Sequence, residues 1–292
     1  MDAGNALFKP GAADDRPSRQ RASLILDAMG ALGTAAMAVG HQDLLAGPEF
    51  LKKAAQKAKL PLLSANLVDA AGKPLFPASR VVSTAGMRVA LVGASAPEQA
   101  AAFSAKLPVQ AALAQARKLR PQADVVVVLA AMPYADALQL AKEAAGAVDL
   151  ILQSHEARGA GGAQRYDESF VVPTGERGRQ LGRVDLELCG RGPWIDAGEK
   201  DRGRQLINLL DVQIAEARKR VDSASPSTKS AAEKTLHSFE ARRDSLAKES
   251  AQPLPPGARF FKLDFLTLGT EYADDPTLKA KVAVLEPEGA AP

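Results

Sequence analysis

Histidines are few in this sequence, and two of the three stand directly after apolar runs. His41-Gln42-Asp43 follows Ala35–Gly40, and His155-Glu156 follows Asp149–Ser154. Imidazole nitrogens and carboxylate oxygens are common ligands of divalent cations, so both turns are of the right chemistry. Asp43 and Glu156 also read as helix caps or solvated charges. The third histidine, His237, falls on the exposed side of a long helical pattern and reads as a surface residue. Gly159-Ala160-Gly161-Gly162 could approach a phosphate closely, but no helix with Lys-Ser/Thr follows it, which excludes a P-loop. Cys189 is the only cysteine, so there is no internal disulfide and no cysteine metal cluster, and it reads as a small buried hydrophobe at a strand end.

The segments that must position these residues alternate between two periods. Arg16 to Leu32 reads as a helix with Asp15 and Pro17 at its start and Leu24, Ile25, Ala28 and Leu32 on one face. A strand over Ala35–Val39, a helix from Pro48 to Lys59 and a short buried strand over Leu62–Asn66 follow. Arg80–Thr84 and Met87–Val92, separated by Ala85-Gly86, read as a hairpin. Beyond a helix over Val109–Leu119, the unbroken run Val125–Leu129 predicts a strand buried on both faces, and a helix over Ala135–Ala145 leads to a strand at Val148–Leu152. This rhythm argues for a layered α/β domain. Chemistry in such sheets gathers after the C-terminal ends of strands, where Asn5, His41, Ala131 and His155 all fall.

The last third differs. From Asp201 to Val221, Ile207, Leu210, Ile214, Ala217 and Val221 step by three and four, a narrow coiled-coil seam. Ser225-Pro226-Ser227 breaks it, and Ala232, Leu236, Phe239 and Leu246 continue at matching spacing, interrupted by Arg243. So short a connection predicts an antiparallel helical hairpin over residues 199–250. Phe260–Leu268 then alternates as a strand returning to the sheet of the first domain, and Asp274-Asp275-Pro276 opens a last short helix.

Several passages taken in order resemble one family. AAMAVGHQDLL (Ala35–Leu45) is similar to the strand and Asn-His-Glu turn of bacterial 5'-nucleotidases, a branch of the calcineurin-like metallophosphoesterases. Met1-Asp2-Ala3-Gly4-Asn5-Ala6-Leu7-Phe8 resembles their "DxGDxLF" segment. Leu60–Phe76 followed by Gly86–Glu98, and Pro173–Leu188, resemble further passages, so the likeness covers roughly residues 1–198. The resemblance implies an α/β, layered metallophosphoesterase-like sheet sandwich flanked by helices, here carrying an antiparallel helical hairpin insertion, with residues 251–292 belonging to the same domain. It also implies departures at the metal positions. Asn5 takes the place of the bridging Asp, His41 of the Asn ligand and Gln42 of the catalytic His; Ala131 and Ala157 stand where two His ligands belong, and His155 alone is kept. Met1 falls where the family is already inside its second strand, so the resemblance places the Asp-x-His strand upstream of a cut or misassigned start.

Two-metal ester hydrolysis needs a bridging carboxylate and several His/Asp ligands that turn a bound water into a nucleophile near neutral pH. Asn5, His41 and His155 would make at best one weak site, for manganese or zinc. By the same resemblance, the turn Gly175–Arg179 lies near the substrate side, where Arg177 or Arg179 could meet an anion, though a solvated β-turn suits it too. The expected function is therefore a degenerate phosphoesterase domain with weak or no activity and a binding or structural role. An active phosphomonoester (nucleotide) hydrolase is the alternative, and a docking module built on the hairpin the second. A small phosphorylated ligand, or a protein partner at the hairpin, is the expected partner. Net charge of +3 with no basic run interleaved with aromatics excludes a nucleic-acid surface, and no apolar run is long enough for a transmembrane helix. Location follows the resemblance, periplasmic or cell-surface, or is cytoplasmic if Met1 is the true start.

Overall fold

Local signals set most of the element boundaries in this computed structural model, which describes residues 1–154, 163–174, 178–251 and 253–286. Asp15 caps α1 (Arg16–Ala31) by accepting from the Ser18 N–H at 2.8 Å, with a proline in the first turn, a cap worth about 1 kcal/mol. There follow β1 (Met37–Ala38), the proline-opened α2 (Pro48–Ala58), β2 (Leu62–Leu63), β3 (Leu67–Asp69), β4 (Ser79–Thr84), β5 (Met87–Ser95), β6 (Glu98–Gln99) and β7 (Phe103–Ala105). Next come α3 (Pro108–Leu119), β8 (Val125–Ala131), α4 (Tyr134–Glu143), β9 (Leu150–Ser154), β10 (Gln164–Tyr166), β11 (Ser169–Pro173), β12 (Gln180–Leu188) and β13 (Trp194–Asp196). The helical pair α5 (Glu199–Asp222) and α6 (Lys229–Ser250), then β14 (Arg259–Thr267) and α7 (Pro276–Leu285), complete the order. No helix among the described residues is long and apolar enough to cross a membrane.

The chain divides into two compact units, Met1–Gly182 with Phe265 onward, and Arg183–Asp264. The first is built on a six-stranded sheet of order β10-β11-β9-β8-β5-β4, in which β5, β8, β9 and β11 run parallel and β4 and β10 add antiparallel edges. All seven residues of β8 are buried, as their unbroken apolar run requires. One face of the sheet packs Ala90, Val92, Val126, Val128 and Ile151 against α3 and α4 through Leu113, Ala116, Ala137 and Leu140. A second apolar cluster joins Leu26 of α1, Leu51 of α2 and Met37 to Leu7, Phe8 and Phe76. There β1 and β2 pair in parallel, and Asp2 bridges to Met37. The layered α/β architecture and the antiparallel helix pair are thus as the sequence predicts.

In the second unit the hairpin seam buries Leu210, Ile214 and Ala217 of α5, while on α6 the facing residues Leu236 and Phe239 are half-buried. Arg218 pairs with Glu240 at 2.9 Å, and Arg243, the residue that interrupts the seam, reaches Asp211 at 3.2 Å. His237 lies on the surface with an 87% exposed side chain. Strand β14 does not return to the six-stranded sheet; it lies between β12 and β13 in a three-stranded sheet of its own. Trp194 and Phe261 supply its apolar contact, edge to face at a centroid distance of 6.4 Å. Cys189, expected to be buried at a strand end, is exposed: it follows β12, whose residues are at most half-buried, and its Sγ donates to Glu187.

Candidate functional site

Two glycines bring the first residues against the turn after β1. Gly4 has φ +88°, and a Cβ on it would stand 2.7 Å from the Ala38 carbonyl oxygen and 3.1 Å from the Gly40 nitrogen. A Cβ on Gly40 would in turn come within 2.3 Å of the Asn5 carboxamide. Backbone therefore meets backbone here, and Asn5 completes the turn in the left-handed region at φ 60°, a conformation asparagine tolerates better than most residues.

Asp43 ties the two segments together. It is fully buried, and its Oδ2 accepts from the N–H groups of Asn5 at 2.7 Å and Gly40 at 2.8 Å, while Oδ1 accepts from Ala6 at 2.9 Å and Leu7 at 3.1 Å. Each carboxylate oxygen thus already receives two donors. Burial pushes the Asp43 carboxyl up to about 6; the Gly40, Asn5 and Leu7 donors pull it down, and the charge of Asp2 adds to the rise.

The Asn5 side chain makes its contacts with neutral groups. Its Oδ1 accepts from the Gln42 N–H at 3.1 Å, and its Nδ2 lies 3.5 Å from Ser154 Oγ, which donates to the Ala3 carbonyl at 2.6 Å. In strand register Ala131 lies between Ser95 of β5 and Ser154 of β9, and it is fully buried. Ser95 continues the polar row inward. Its Oγ donates to the Val39 carbonyl at 2.6 Å, and its backbone exchanges two hydrogen bonds with the Asn66 carboxamide at 2.8 and 2.9 Å. The ends of four elements are therefore held by amides and hydroxyls.

His41 opens the short 3₁₀ turn Gln42–Leu44, with its side chain 61% exposed and its Nδ1 against the Glu98 carboxylate of β6. His155 and Arg177 lie outside the described residues, as do Glu156, Ala157 and Gly159–Gly162. Arg179 is exposed beside the start of β12, and its carbonyl accepts from the Leu268 N–H at 2.8 Å. Asn5 and His41 are thus brought to neighbouring turns, and Arg179 is not joined to them by any hydrogen bond among the described residues. Sequence reasoning passed over Ser95, Asn66 and Ser154, and it read Asp43 as a ligand, a helix cap or a solvated charge rather than as the acceptor of backbone N–H groups from the first residues. Its place three residues after Gly40 was the available signal.

The described residues at these turns do not by themselves supply the donors of a two-cation centre. Asn5 supplies no negative charge, the lone pairs of Asp43 face four backbone donors, and Ala131 supplies no ligand. Among the described residues, no three His, Cys, Asp or Glu side chains are grouped so as to hold a metal ion.

No protein-family model and no curated protein matches the chain. Solved structures do. The sulfate thiohydrolase SoxB of Thermus thermophilus, solved with glycerol, is 26% identical with a TM-score of 0.55, over 63% of this chain and 35% of that one. A 5'-nucleotidase precursor, also from Thermus thermophilus, is 22% identical with a TM-score of 0.53, over 60% of this chain and 39% of that one. The calcineurin-like phosphoesterase YfkN of Bacillus subtilis is 19% identical with a TM-score of 0.50, over 64% of this chain and 70% of that one. This chain therefore spans well under half the length of the first two proteins. Over 60–64% of its own residues it is structurally similar to calcineurin-like phosphoesterases and 5'-nucleotidases, and its fold is metallophosphoesterase-like.

Proposed function

We propose that this chain is a degenerate 5'-nucleotidase-like metallophosphoesterase domain, with weak or no phosphoesterase activity and a binding or structural role outside the cytoplasm. The observation that carries the reading is the set of contacts of Asn5. At the position where the resemblance calls for a bridging carboxylate, a neutral carboxamide meets the Gln42 N–H and the Ser154 hydroxyl. Hydrogen bonds among uncharged groups do there what cations and their ligands would otherwise do, namely join the strand ends. Such contacts supply neither the Lewis acid nor the hydroxide that phosphoester hydrolysis requires. Within this reading the site holds at most one weakly bound manganese or zinc ion through Asn5, His41 and His155, and Arg177 and Arg179 would serve a small phosphorylated ligand. Periplasmic or cell-surface location belongs to the same proposal.

Elemental analysis after exposure to manganese and zinc, combined with a phosphomonoester assay, tests it. The expected result is fewer than one retained ion per chain and no metal-dependent turnover. Two retained ions with turnover would establish the opposite reading, an active metal-dependent hydrolase.

A hairpin docking role is favoured by one separate observation. On α5, Leu209 and Val212 are 54% and 62% exposed one helical turn apart, outside the seam that faces α6. Replacing both by Ser abolishes partner capture if the hairpin is the docking element, and leaves it unchanged if it is not.

A further inference from the structure

The two edges of the sheet β12-β14-β13 are unlike. β13 is three residues long and follows Pro193, which has no N–H to offer, and an edge so short makes a poor template for another strand. β12 is nine residues long, contains no proline and no lysine, and pairs with β14 alone among the described residues. Its outer row of backbone N–H and C=O groups has no strand beside it there, the condition in which an edge recruits one. Alternation sorts its side chains onto two faces. Leu181, Arg183, Asp185 and Glu187 stand on one and are exposed, while Val184, Leu186 and Leu188 stand on the other and are half-buried.

The charge pattern of β12 selects the strand that fits it. If β12 runs antiparallel to β12 of a second copy with Val184 facing Val184, all nine residues find partners. Arg183 of each copy then stands opposite Asp185 of the other, and Leu186 stands opposite Gly182, where a Cβ would have met only the Phe265 ring at 3.5 Å. Sliding one strand by two residues sets Arg183 against Arg183 or Asp185 against Asp185, and sliding it by one puts the apolar row on the charged face. Within one strand Arg183 and Asp185 already lie 3.0 Å apart, with side chains 64% and 48% exposed. That pair need not break, because in the dimer each guanidinium lies beside both its own Asp185 and that of the other copy.

We propose that the chain forms a two-fold dimer through β12, joining two three-stranded sheets across antiparallel strands with Val184 at the axis. None of these residues belongs to the Asn5 cluster or to the helical hairpin, so the proposal stands whether or not the strand ends bind a metal.

The test is sedimentation velocity of the full chain at micromolar to submillimolar concentration, on the wild type, Arg183→Asp, Asp185→Arg and the double exchange that carries both. Circular dichroism and thermal unfolding confirm that these exposed substitutions leave the fold intact. Expected are a dimer in the wild type, at least tenfold weaker dimerisation in each single variant, where like charges come to face each other, and recovery in the double exchange. Mild oxidation reads the register in a Cys189→Ser background. Val184→Cys should cross-link two copies, whereas Leu181→Cys, about 20 Å from its counterpart across six residues, should not. A chain that stays monomeric throughout overturns the proposal and leaves this edge to a strand of another protein. So does a dimer that is indifferent to both charge reversals, that fails to recover in the double exchange, or that cross-links through Leu181→Cys rather than Val184→Cys.

Discussion

The carboxyl of Asp43 sets two large effects against each other, and their balance can be measured. Four backbone N–H groups favour the ionised form, while complete burial and the charge of Asp2 favour the neutral one. With burial dominant, the folded-state pKa is about 6 against an ordinary value of 3.8. Between those values the folded chain keeps a proton that the unfolded chain has released, so the contribution of Asp43 is most favourable below 3.8 and is lost as pH rises through about 6. At 1.36 kcal/mol for each tenfold change in proton affinity, the loss amounts to about 3 kcal/mol. The direct assay is an NMR pH titration of the amides of Asn5, Ala6, Leu7 and Gly40, which should share one midpoint near 6. Stability gives the second readout. Urea unfolding followed by circular dichroism, in wild type and Asp43→Asn, should show wild type losing about 2 kcal/mol relative to the variant between pH 4 and pH 7. The single tryptophan, Trp194, lies in the second unit and so cannot report this transition. Amide midpoints at or below 4, or a wild type that gains on the variant as pH rises, would mean that the four donors outweigh burial and that the reasoning is wrong.

Three further outcomes are expected. Gly4→Ala should lower stability by about 2 kcal/mol, because its φ of +88° strains any side chain and the added methyl meets the Ala38 carbonyl oxygen; a shift in urea midpoint checks it. Asn5→Asp should cost about 1 kcal/mol by removing the donor to Ser154 and should not confer tight manganese binding on its own, as calorimetric titration would show. Leu210→Ala should destabilise the second unit by about 2–4 kcal/mol while Leu209→Ala stays within about 0.5 kcal/mol, since the first side chain is 3% and the second 54% exposed; Trp194 fluorescence during denaturation follows both.

Elements with their own local signal were legible in the sequence. The cap at Asp15, the proline that opens α2, and the unbroken valines of β8 fixed those boundaries to within a residue or two. Strands β3, β6, β7 and β13 were not legible, because two or three residues give no period to read and their pairing is set by distant partners. The destination of β14 was hidden for a related reason. Alternation shows that a segment is a half-buried strand, but not which edge it joins. At the site, the apolar runs placed Asn5 and His41 after strand ends, and only the resemblance put them in one site. That Asp43 would be buried, and that Glu98 would meet His41 across 57 positions of sequence, depends on packing that residue types do not encode.

The residues that build the turn and those on which the proposed reading rests differ in physical role. Gly4, Gly40, Asp43 and Asn66 each build the turn: two glycines where a Cβ would collide, a carboxylate for four backbone donors, and an amide pairing with the end of β5. Asn5, Gln42 and Ala131 are the positions where the proposed reading puts the missing charge and ring nitrogens. Packing of the two apolar clusters and satisfaction of buried backbone groups hold the turn together without a cation. A fold whose stability does not rest on its ligands can keep its shape while the ligands change. This separation explains how the strand ends stay ordered around a neutral Asn5, and it is why Asn5→Asp alone should recover neither the metal nor the reaction.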